Sequence, residues 1–324
     1  MAGIHPDTIK VMEFLANEGK GQPPLNELTP AEARQRMAKF LQFWNEDAPP
    51  IAKIVNRNIA GPHGPISVRI YDPGSALPSP GIVFFHGGGF VLGSIETHEG
   101  VCRRLAIYSG CRVVSVDYRL APEHKFPAPL DDCVASTRWV ADHAVEIGID
   151  PSRLFVSGES AGASLALATT LVLRDEGGPA LRGAALIYGC YDTDFDTASY
   201  QSFGAGEYLL SKQDMVWFWD QYLNDSPDRE SPRARPLRAQ LTGLPPLLVI
   251  AAEFDPLLDD SSRLAERLRA AGARHDWLLW PGVIHGCILM TRMLSPAEGF
   301  LREIASWVSR QAHPVEESKS AEGR

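Results

Sequence analysis

The sequence predicts an α/β fold in which a mostly parallel central sheet is flanked by helices and carries a helical cap. From about residue 81 onward, short apolar stretches rich in Val, Ile and Leu alternate with amphipathic helical segments. These stretches show little alternation of polar and apolar residues, which indicates strands buried on both faces. One long break in this alternation of strands and helices, described below, indicates an inserted element.

Eight strands are predicted. The first two lie at residues 52–59 and 66–72, and a Gly- and Pro-rich segment between them favours a hairpin. The other six are predicted at Gly81–Phe85, Cys111–Val116, Arg153–Val156, Ala184–Tyr188, Pro246–Ala252 and Trp277–Trp280.

The N-terminal quarter predicts two helices. Asp7 is the predicted N-cap of the first helix. The second has a stronger signal, because Thr29 is followed by Pro30 at the first helical position and by Glu32, which completes a capping box.

More than fifty residues separate the predicted strands that end near Tyr188 and begin near Pro246. A structureless connection of this length is uncommon in a compact domain. The segment contains an aromatic helical run at 215–219, with Ser211 as its predicted N-cap, so we expect an inserted cap element. The alternative is that these aromatic side chains simply pack against the main core.

These patterns divide the chain into five parts. Residues 1–50 form N-terminal cap helices, 51–190 the first part of the core, 191–240 the inserted cap element and 241–312 the second part of the core. The polar segment 313–324 is expected to be a disordered tail.

Composition excludes several classes of protein. The formal net charge of −9 argues against nucleic acid and anionic membranes as partners. The sequence shows neither a secretory signal nor an apolar stretch long enough to span a bilayer. Its five cysteines form no Cys-x-x-Cys pair, so we expect reduced thiols in a cytoplasmic protein, with no metal site and no cofactor.

Residues Gly158–Gly162 fit the pattern Gly-x-Ser-x-Gly around Ser160. Chance alone supplies such a pentapeptide in roughly one chain of this length in ten. The motif lies between a predicted strand and a predicted helix, which is the context that a nucleophile elbow requires. The sequence therefore predicts Ser160 as a nucleophile.

A second motif, His86-Gly87-Gly88-Gly89-Phe90, follows the predicted strand that ends at Phe85. Its chance expectation is on the order of one in several hundred chains. Acyl transfer develops negative charge on an oxygen, and glycines let backbone N–H donors approach that oxygen closely. A phosphate-binding loop is less compatible, because no Gly-Lys-Ser/Thr sequence follows. The sequence predicts an oxyanion loop here.

Chain order selects the partners of Ser160. In this arrangement an acid and then a histidine follow the serine, each beyond the carboxyl end of a strand. Of nine histidines, His285 alone satisfies both conditions. Asp255 is the preferred acid and Glu253 its main rival, while Asp259 and Asp260 are expected to complement a helix dipole.

Taken together, these residues resemble the hormone-sensitive-lipase family of bacterial and archaeal carboxylesterases. The resemblance extends from the N-terminal helices to His285 and includes the segments 117–123 and 126–128, Asp255-Pro256-Leu257 and His285-Gly286. It implies an α/β-hydrolase fold with a helical cap, and a triad of Ser160, Asp255 and His285. It also implies oxyanion donors in the N–H groups of Gly88, Gly89 and Ala161, supported by His86 and Gly87.

The resemblance implies hydrolysis of small to medium acyl esters through an acyl-enzyme, without metal or cofactor, and a possible homodimer. An amide, formamide or lactone hydrolase of the same fold remains an alternative. A non-catalytic small-molecule receptor is a further alternative, which the presence of His285 disfavours.

Overall fold

The computed structural model describes residues 3–313 and contains one eight-stranded sheet. The predicted tail therefore lies outside the described residues, apart from His313. The strands are β1 (Lys53–Ile59), β2 (Ile66–Asp72), β3 (Ser79–Phe85), β4 (Arg112–Asp117), β5 (Ile149–Glu159), β6 (Gly183–Ile187), β7 (Leu247–Phe254) and β8 (His275–Ile284). All eight predicted strands are confirmed, although β5 and β8 are longer than predicted.

The strands are arranged in the order β1-β2-β4-β3-β5-β6-β7-β8. The pairs β1–β2 and β2–β4 are antiparallel, and every other neighbouring pair is parallel. The carboxyl ends of the parallel strands therefore share one edge of the sheet, where loops from distant parts of the chain meet.

Ten α-helices complete the described chain. They are α1 (Pro6–Glu18), α2 (Pro30–Asn45), α3 (Glu99–Ser109), α4 (Ala128–Asp142), α5 (Ala161–Asp175), α6 (Ala198–Phe203), α7 (Lys212–Tyr222), α8 (Ser226–Glu230), α9 (Leu258–Ala270) and α10 (Ser295–Ala312). None of these helices is long and apolar enough to span a membrane.

Apolar cores lie on both faces of the sheet, which confirms the predicted α/β class. On one face α4, α5 and α9 pack through side chains such as Leu130, Leu165 and Leu264. On the other face α3 and α10 pack through Leu105 and Phe300. Because both faces are covered, the central strands are apolar throughout; in β3 every residue is buried.

The predicted cap of the first helix is wrong. His5 is the N-cap of α1, since its Nδ1 accepts a hydrogen bond from the Asp7 N–H at 3.1 Å. Pro6 takes the first helical position, so Asp7 falls within the first turn, where its carboxylate accepts from Lys10 and Ser295 instead. The capping box of Thr29 and Glu32 on α2 is present as predicted.

The inserted segment between β6 and β7 contains α6, α7 and α8. The aromatic run lies on α7, whose capping box joins Ser211 to Asp214. Phe218, Trp219 and Tyr222 are buried in the same apolar core as the sheet. These three side chains thus pack against the main core, and Phe218 also lines a cavity described below.

The start of α5 lies unusually close to the end of β3. A Cβ atom on Gly162 would lie 2.0 Å from the carbonyl oxygen of Phe85 and 2.6 Å from that of His86. Backbone atoms cannot yield to such a contact without displacing either the helix or the strand. Glycine at position 162 is therefore what allows the helix and the strand to approach.

We expect Gly162→Ala to destabilise the protein, although alanine normally favours a helix by up to about 1 kcal/mol. The steric overlap should reverse that sign and lower the free energy of unfolding by roughly 1–3 kcal/mol or more. Urea denaturation followed by circular dichroism measures the change. Gly299→Ala in α10 is the matched control, because its Cβ would meet only the edge of the Trp280 ring, at 3.3 Å. Equal unfolding free energies for the two variants would contradict this account.

Candidate active site

Ser160 lies at the sharp turn between β5 and α5. Its backbone has φ 55° and ψ −124°, a conformation that non-glycine residues rarely adopt. A Cβ on Gly158 would lie 2.3 Å from the Gly162 carbonyl oxygen, so both glycines of the motif are required by the turn. The turn places the serine at the N-terminus of α5, where the helix dipole favours negative charge.

His285 and Asp255 converge on this serine from the two last strands. Asp255 directly follows β7, and His285 directly follows β8, which continues through Pro281 and Gly282. The distance from His285 Nε2 to Ser160 Oγ is 3.0 Å, and that from His285 Nδ1 to Asp255 Oδ2 is 2.7 Å. All three side chains are buried. The chain thus brings together residues separated by up to 125 positions.

The hydrogen bonds assign one tautomer to His285. A carboxylate only accepts, so Nδ1–H donates to Asp255 and Nε2 is free to accept the Ser160 hydroxyl proton. The other Asp255 oxygen, Oδ1, accepts the Leu257 N–H at 2.8 Å, which fixes the orientation of the carboxylate. The arrangement can deprotonate a hydroxyl and stabilise the resulting imidazolium.

Electrostatics of the site favour that imidazolium. Burial alone lowers the pKa of His285, but the Asp255 carboxylate, by its charge and its hydrogen bond, and the charge of Glu159 together raise it above its ordinary value. The rival acid Glu253 is elsewhere engaged, because its Oε2 accepts the Gly282 N–H at 2.9 Å. Asp259 and Asp260 lie in the first turn of α9, as expected.

The glycine loop lies at the end of β3, beside Ser160. Gly88 and Gly89 have positive φ values of 111° and 61°. A Cβ on Gly88 would lie 2.4 Å from the Leu92 carbonyl oxygen, and one on Gly89 would lie 2.2 Å from the Phe218 ring of α7. Only glycine fits at these two positions. The loop can therefore bring backbone N–H groups close to a bound carbonyl.

His86 supports the loop from beneath. Its Nδ1–H donates to the Gly87 carbonyl oxygen at 2.7 Å, and its ring stacks on Tyr118 with centroids 4.3 Å apart. The Tyr118 hydroxyl donates to the His86 carbonyl oxygen at 2.7 Å. Burial lowers the pKa of His86 to about 3, so the ring is neutral near pH 7. A neutral, stacked ring supports the loop without adding charge.

Ser160, His285, Gly88 and Gly89 line a cavity of about 1110 Å³. Its opposite wall is built by α1, α2 and α7, largely from apolar side chains: Phe14, Met37, Phe40, Phe43, Trp44, Met215 and Phe218. Polar side chains, among them Arg36 and Lys39, lie on the same wall. Among residues 3–313, no group of three or more His, Cys, Asp or Glu side chains is placed to bind a metal ion.

Three residues near Ser160 escaped the sequence-based assignment. Tyr188 has a positive φ of 36°, and its ring contacts the His285 ring edge-on at 4.8 Å. His98 precedes Ser160 in the chain and so fails the order required of the base, and Glu159 lies inside the motif Gly158–Gly162. These two form a buried pair beside the site, 61 residues apart in sequence. No local pattern signals such a contact.

A sequence profile of the α/β-hydrolase fold matches residues 82–289, more than half of the chain. This chain belongs to that family and to its hormone-sensitive-lipase-like group, so the resemblance seen in the sequence is confirmed.

The named relatives of this chain are ester hydrolases. The carboxylic ester hydrolase LipN of Mycobacterium tuberculosis is 41% identical over 240 residues, which is 72% of this chain and 64% of LipN. A hyperthermophilic esterase from the archaeon Pyrobaculum calidifontis superposes with a TM-score of 0.92 at 38% identity, covering 96% of this chain and 99% of that one. An ester hydrolase from the metagenome of Lake Arreo, complexed with a bipyridine phosphonate derivative, gives 0.90 at 40% identity, with 94% and 98% covered.

We expect Asp255→Asn to lower the pKa of His285 below its ordinary value. The substitution removes the negative charge that opposes burial, so only the smaller contribution of Glu159 remains. NMR titration of the imidazole signals measures the pKa. The control is Glu253→Gln, which changes a buried carboxylate two residues earlier in the chain and should leave the His285 titration unchanged. A larger shift in the control than in Asp255→Asn would assign the orienting role to Glu253.

Proposed function

We propose that this protein is a carboxylic ester hydrolase whose nucleophile is Ser160. The observation that carries the proposal is the continuous hydrogen-bonded line from Asp255 through His285 to Ser160, with both bonds at 3.0 Å or less. The glycine loop and the N-terminus of α5 flank the serine, where an ester carbonyl would bind. The named relatives, which are ester hydrolases, support the same reaction.

In the first half of the reaction, Ser160 Oγ attacks the ester carbonyl carbon while His285 Nε2 takes the hydroxyl proton. Asp255 holds the ring in the required tautomer and stabilises the imidazolium. The carbonyl oxygen becomes an oxyanion, for which the N–H groups of Gly88, Gly89 and Ala161 are the proposed donors. The tetrahedral intermediate then collapses, His285 protonates the leaving alcohol, and the acyl group stays on Ser160.

In the second half, a water molecule attacks the acyl-enzyme. His285 removes its proton, the same donors stabilise the second oxyanion, and collapse returns the proton to Ser160 as the acid leaves. Each of these steps uses only residues already at the site. Removal of one oxyanion-hole donor typically costs about 10²–10³ in kcat, so the positions of the N–H groups in the glycine loop should affect the rate directly.

The cavity wall supports small to medium acyl esters as substrates. Its apolar side chains come from residues 1–50 and from the insertion 191–240, which we propose form one cap over the core formed by 51–190 and 241–312. An acyl chain bound among Phe and Met side chains gains about 0.8 kcal/mol for each buried CH₂ group. Acidic and basic side chains also line the cavity, so its lining is mixed in polarity.

We expect Ser160→Ala to abolish hydrolysis of para-nitrophenyl acyl esters, with a loss on the order of 10⁶ in kcat. A phosphonate inhibitor should label the unmodified protein covalently at one serine and fail to label the variant. Ser164→Ala, one turn further along α5, is the matched control and should retain labelling, because Ser164 Oγ donates to the Cys190 carbonyl oxygen instead. Full activity in Ser160→Ala would disprove the assignment, and absence of labelling in the unmodified protein would favour a receptor.

The acyl-chain preference is tested with a para-nitrophenyl ester series from acetate to decanoate. We expect kcat/KM to rise from acetate to medium chains, by up to roughly fourfold per CH₂ group, as each group becomes buried. It should then fall for decanoate, when the chain exceeds the apolar wall. A maximum at acetate or at decanoate would contradict the proposed substrate class.

A further inference from the structure

Glu159 is a second carboxylate of the site and has no part in the reaction described above. It directly precedes Ser160, and only 3% of its surface is exposed. Its Oε1 lies 2.9 Å from Nε2 of His98, which is itself only 2% exposed. Both side chains line the same cavity as Ser160 and His285. An unpaired buried charge is strongly destabilising, so a carboxylate retained at this depth needs its partner.

Hydrogen bonds hold both ring nitrogens of His98. His98 Nδ1 lies 2.8 Å from Thr97 Oγ1. That hydroxyl donates to the Ser94 carbonyl oxygen at 2.9 Å, so it accepts from His98. His98 Nε2 faces the Glu159 carboxylate, which also accepts. His98 Nε2–H therefore donates to the Glu159 carboxylate, and each ring nitrogen of His98 faces an oxygen of a buried partner.

The turn that carries His98 is held by the N-terminal helices. Asn45, the last residue of α2, donates through Nδ2 to the carbonyl oxygens of Glu96 and Thr97 at 3.1 and 3.0 Å. Its Oδ1 accepts the Gly100 N–H at 2.8 Å. The position of His98 is therefore fixed from outside the sheet, and Glu159 has a rigid partner.

Glu159 also contacts the glycine loop. A Cβ on Gly87 would lie 1.8 Å from Glu159 Oε1, so the carboxylate occupies the space beside this residue. Gly87 directly precedes Gly88 and Gly89, the proposed oxyanion donors. A displaced carboxylate would open space for the loop to move away from Ser160.

The charge of Glu159 acts on His285 as well. Burial alone raises the pKa of Glu159, but the hydrogen bond and charge of His98, the charge of His285 and the Gly87 N–H lower it below its ordinary value. Glu159 in turn helps to raise the pKa of His285.

The charge of Glu159 also acts on the pKa of five other titratable groups: His86, Tyr118, Tyr188, Cys190 and Cys287. Burial shifts the pKa of each group in the direction that favours its uncharged form. His98 and His285 are the side chains that lower the pKa of Glu159.

We propose that Glu159, paired with His98, is a positioning residue that braces the oxyanion loop through Gly87 and places a second negative charge beside His285. The inference rests on the proposed function, because it assigns Glu159 a part in the same esterase reaction. It differs from a purely structural role in one respect. The charge of Glu159, and not only its volume, should influence the proton affinity of His285.

The test compares Glu159→Gln with the unmodified protein on a para-nitrophenyl ester. We expect kcat to fall about tenfold to a hundredfold with little change in KM, because a loop displaced by about 1 Å misplaces its donors. The acid limb of the kcat/KM profile should move to lower pH, since loss of the negative charge lowers the pKa of His285. Glu159→Asp keeps the charge and should return the acid limb toward its original position. Glu253→Gln, a buried carboxylate without a role in the reaction, should leave both quantities unchanged.

His98→Gln provides an independent variant if Glu159→Gln does not fold. It removes the partner that lowers the pKa of Glu159, so we expect Glu159 to be protonated more readily, kcat to fall and the acid limb to move to lower pH, as in Glu159→Gln. Phosphonate titration of active sites corrects each kcat for inactive protein. Unchanged kcat and an unshifted acid limb would overturn the proposal, as would a loss accounted for entirely by fewer titrated sites.

The proposed function and the inference about Glu159 are contradicted by different results. If the unmodified protein does not hydrolyse the ester, the proposed function is wrong. If it hydrolyses the ester, loses activity in Ser160→Ala and behaves identically in Glu159→Gln, only the inference about Glu159 is wrong.

Discussion

The close approach of α5 to the end of β3 is the constraint on which the site depends. Ser160 can occupy its strained turn only because Gly158 and Gly162 lack side chains, and a Cβ at 162 would meet the Phe85 carbonyl oxygen at 2.0 Å. The same contact holds the glycine loop next to the serine, since that loop begins where β3 ends. Strain at Ser160 is maintained by the buried end of β5 and the buried start of α5, which fix the two ends of the turn.

The parallel sheet then brings Asp255 and His285 to Ser160. Loops after β3, β5, β7 and β8 all emerge at one edge, so residues far apart in the chain meet there without long excursions. Two side chains of the proposed triad are fixed by further contacts: Asp255 accepts from the Leu257 N–H, and His285 lies between Asp255 and the Tyr188 ring. The site is therefore preorganised by the strand ends, which limits the reorganisation needed during reaction.

The helices that line the cavity also contact the chain next to the glycine loop. Arg34 of α2 donates to the carbonyl oxygens of Val91 and Ala121 and pairs with Glu123, which ties α2 to the chain that follows the glycine loop. From α7, Tyr222 stacks on Phe90 with centroids 3.9 Å apart. Two segments distant in sequence thus contact the chain next to the glycine loop that carries two of the proposed oxyanion donors.

The sequence alone determined the fold class, the eight strands, the capping box of α2 and the residues around Ser160, because these depend on local periodicity and on short-range backbone requirements. Chain order, together with a position beyond the carboxyl end of a strand, was enough to predict His285 among nine histidines. The N-cap of α1 was mispredicted, since His5 and Asp7 both offer acceptors and Pro6 decides between them through its position in the helix. The pair formed by Glu159 and His98 depended entirely on the tertiary structure. It joins two side chains 61 residues apart whose burial, partners and charge exist only once the sheet has brought the strand ends together.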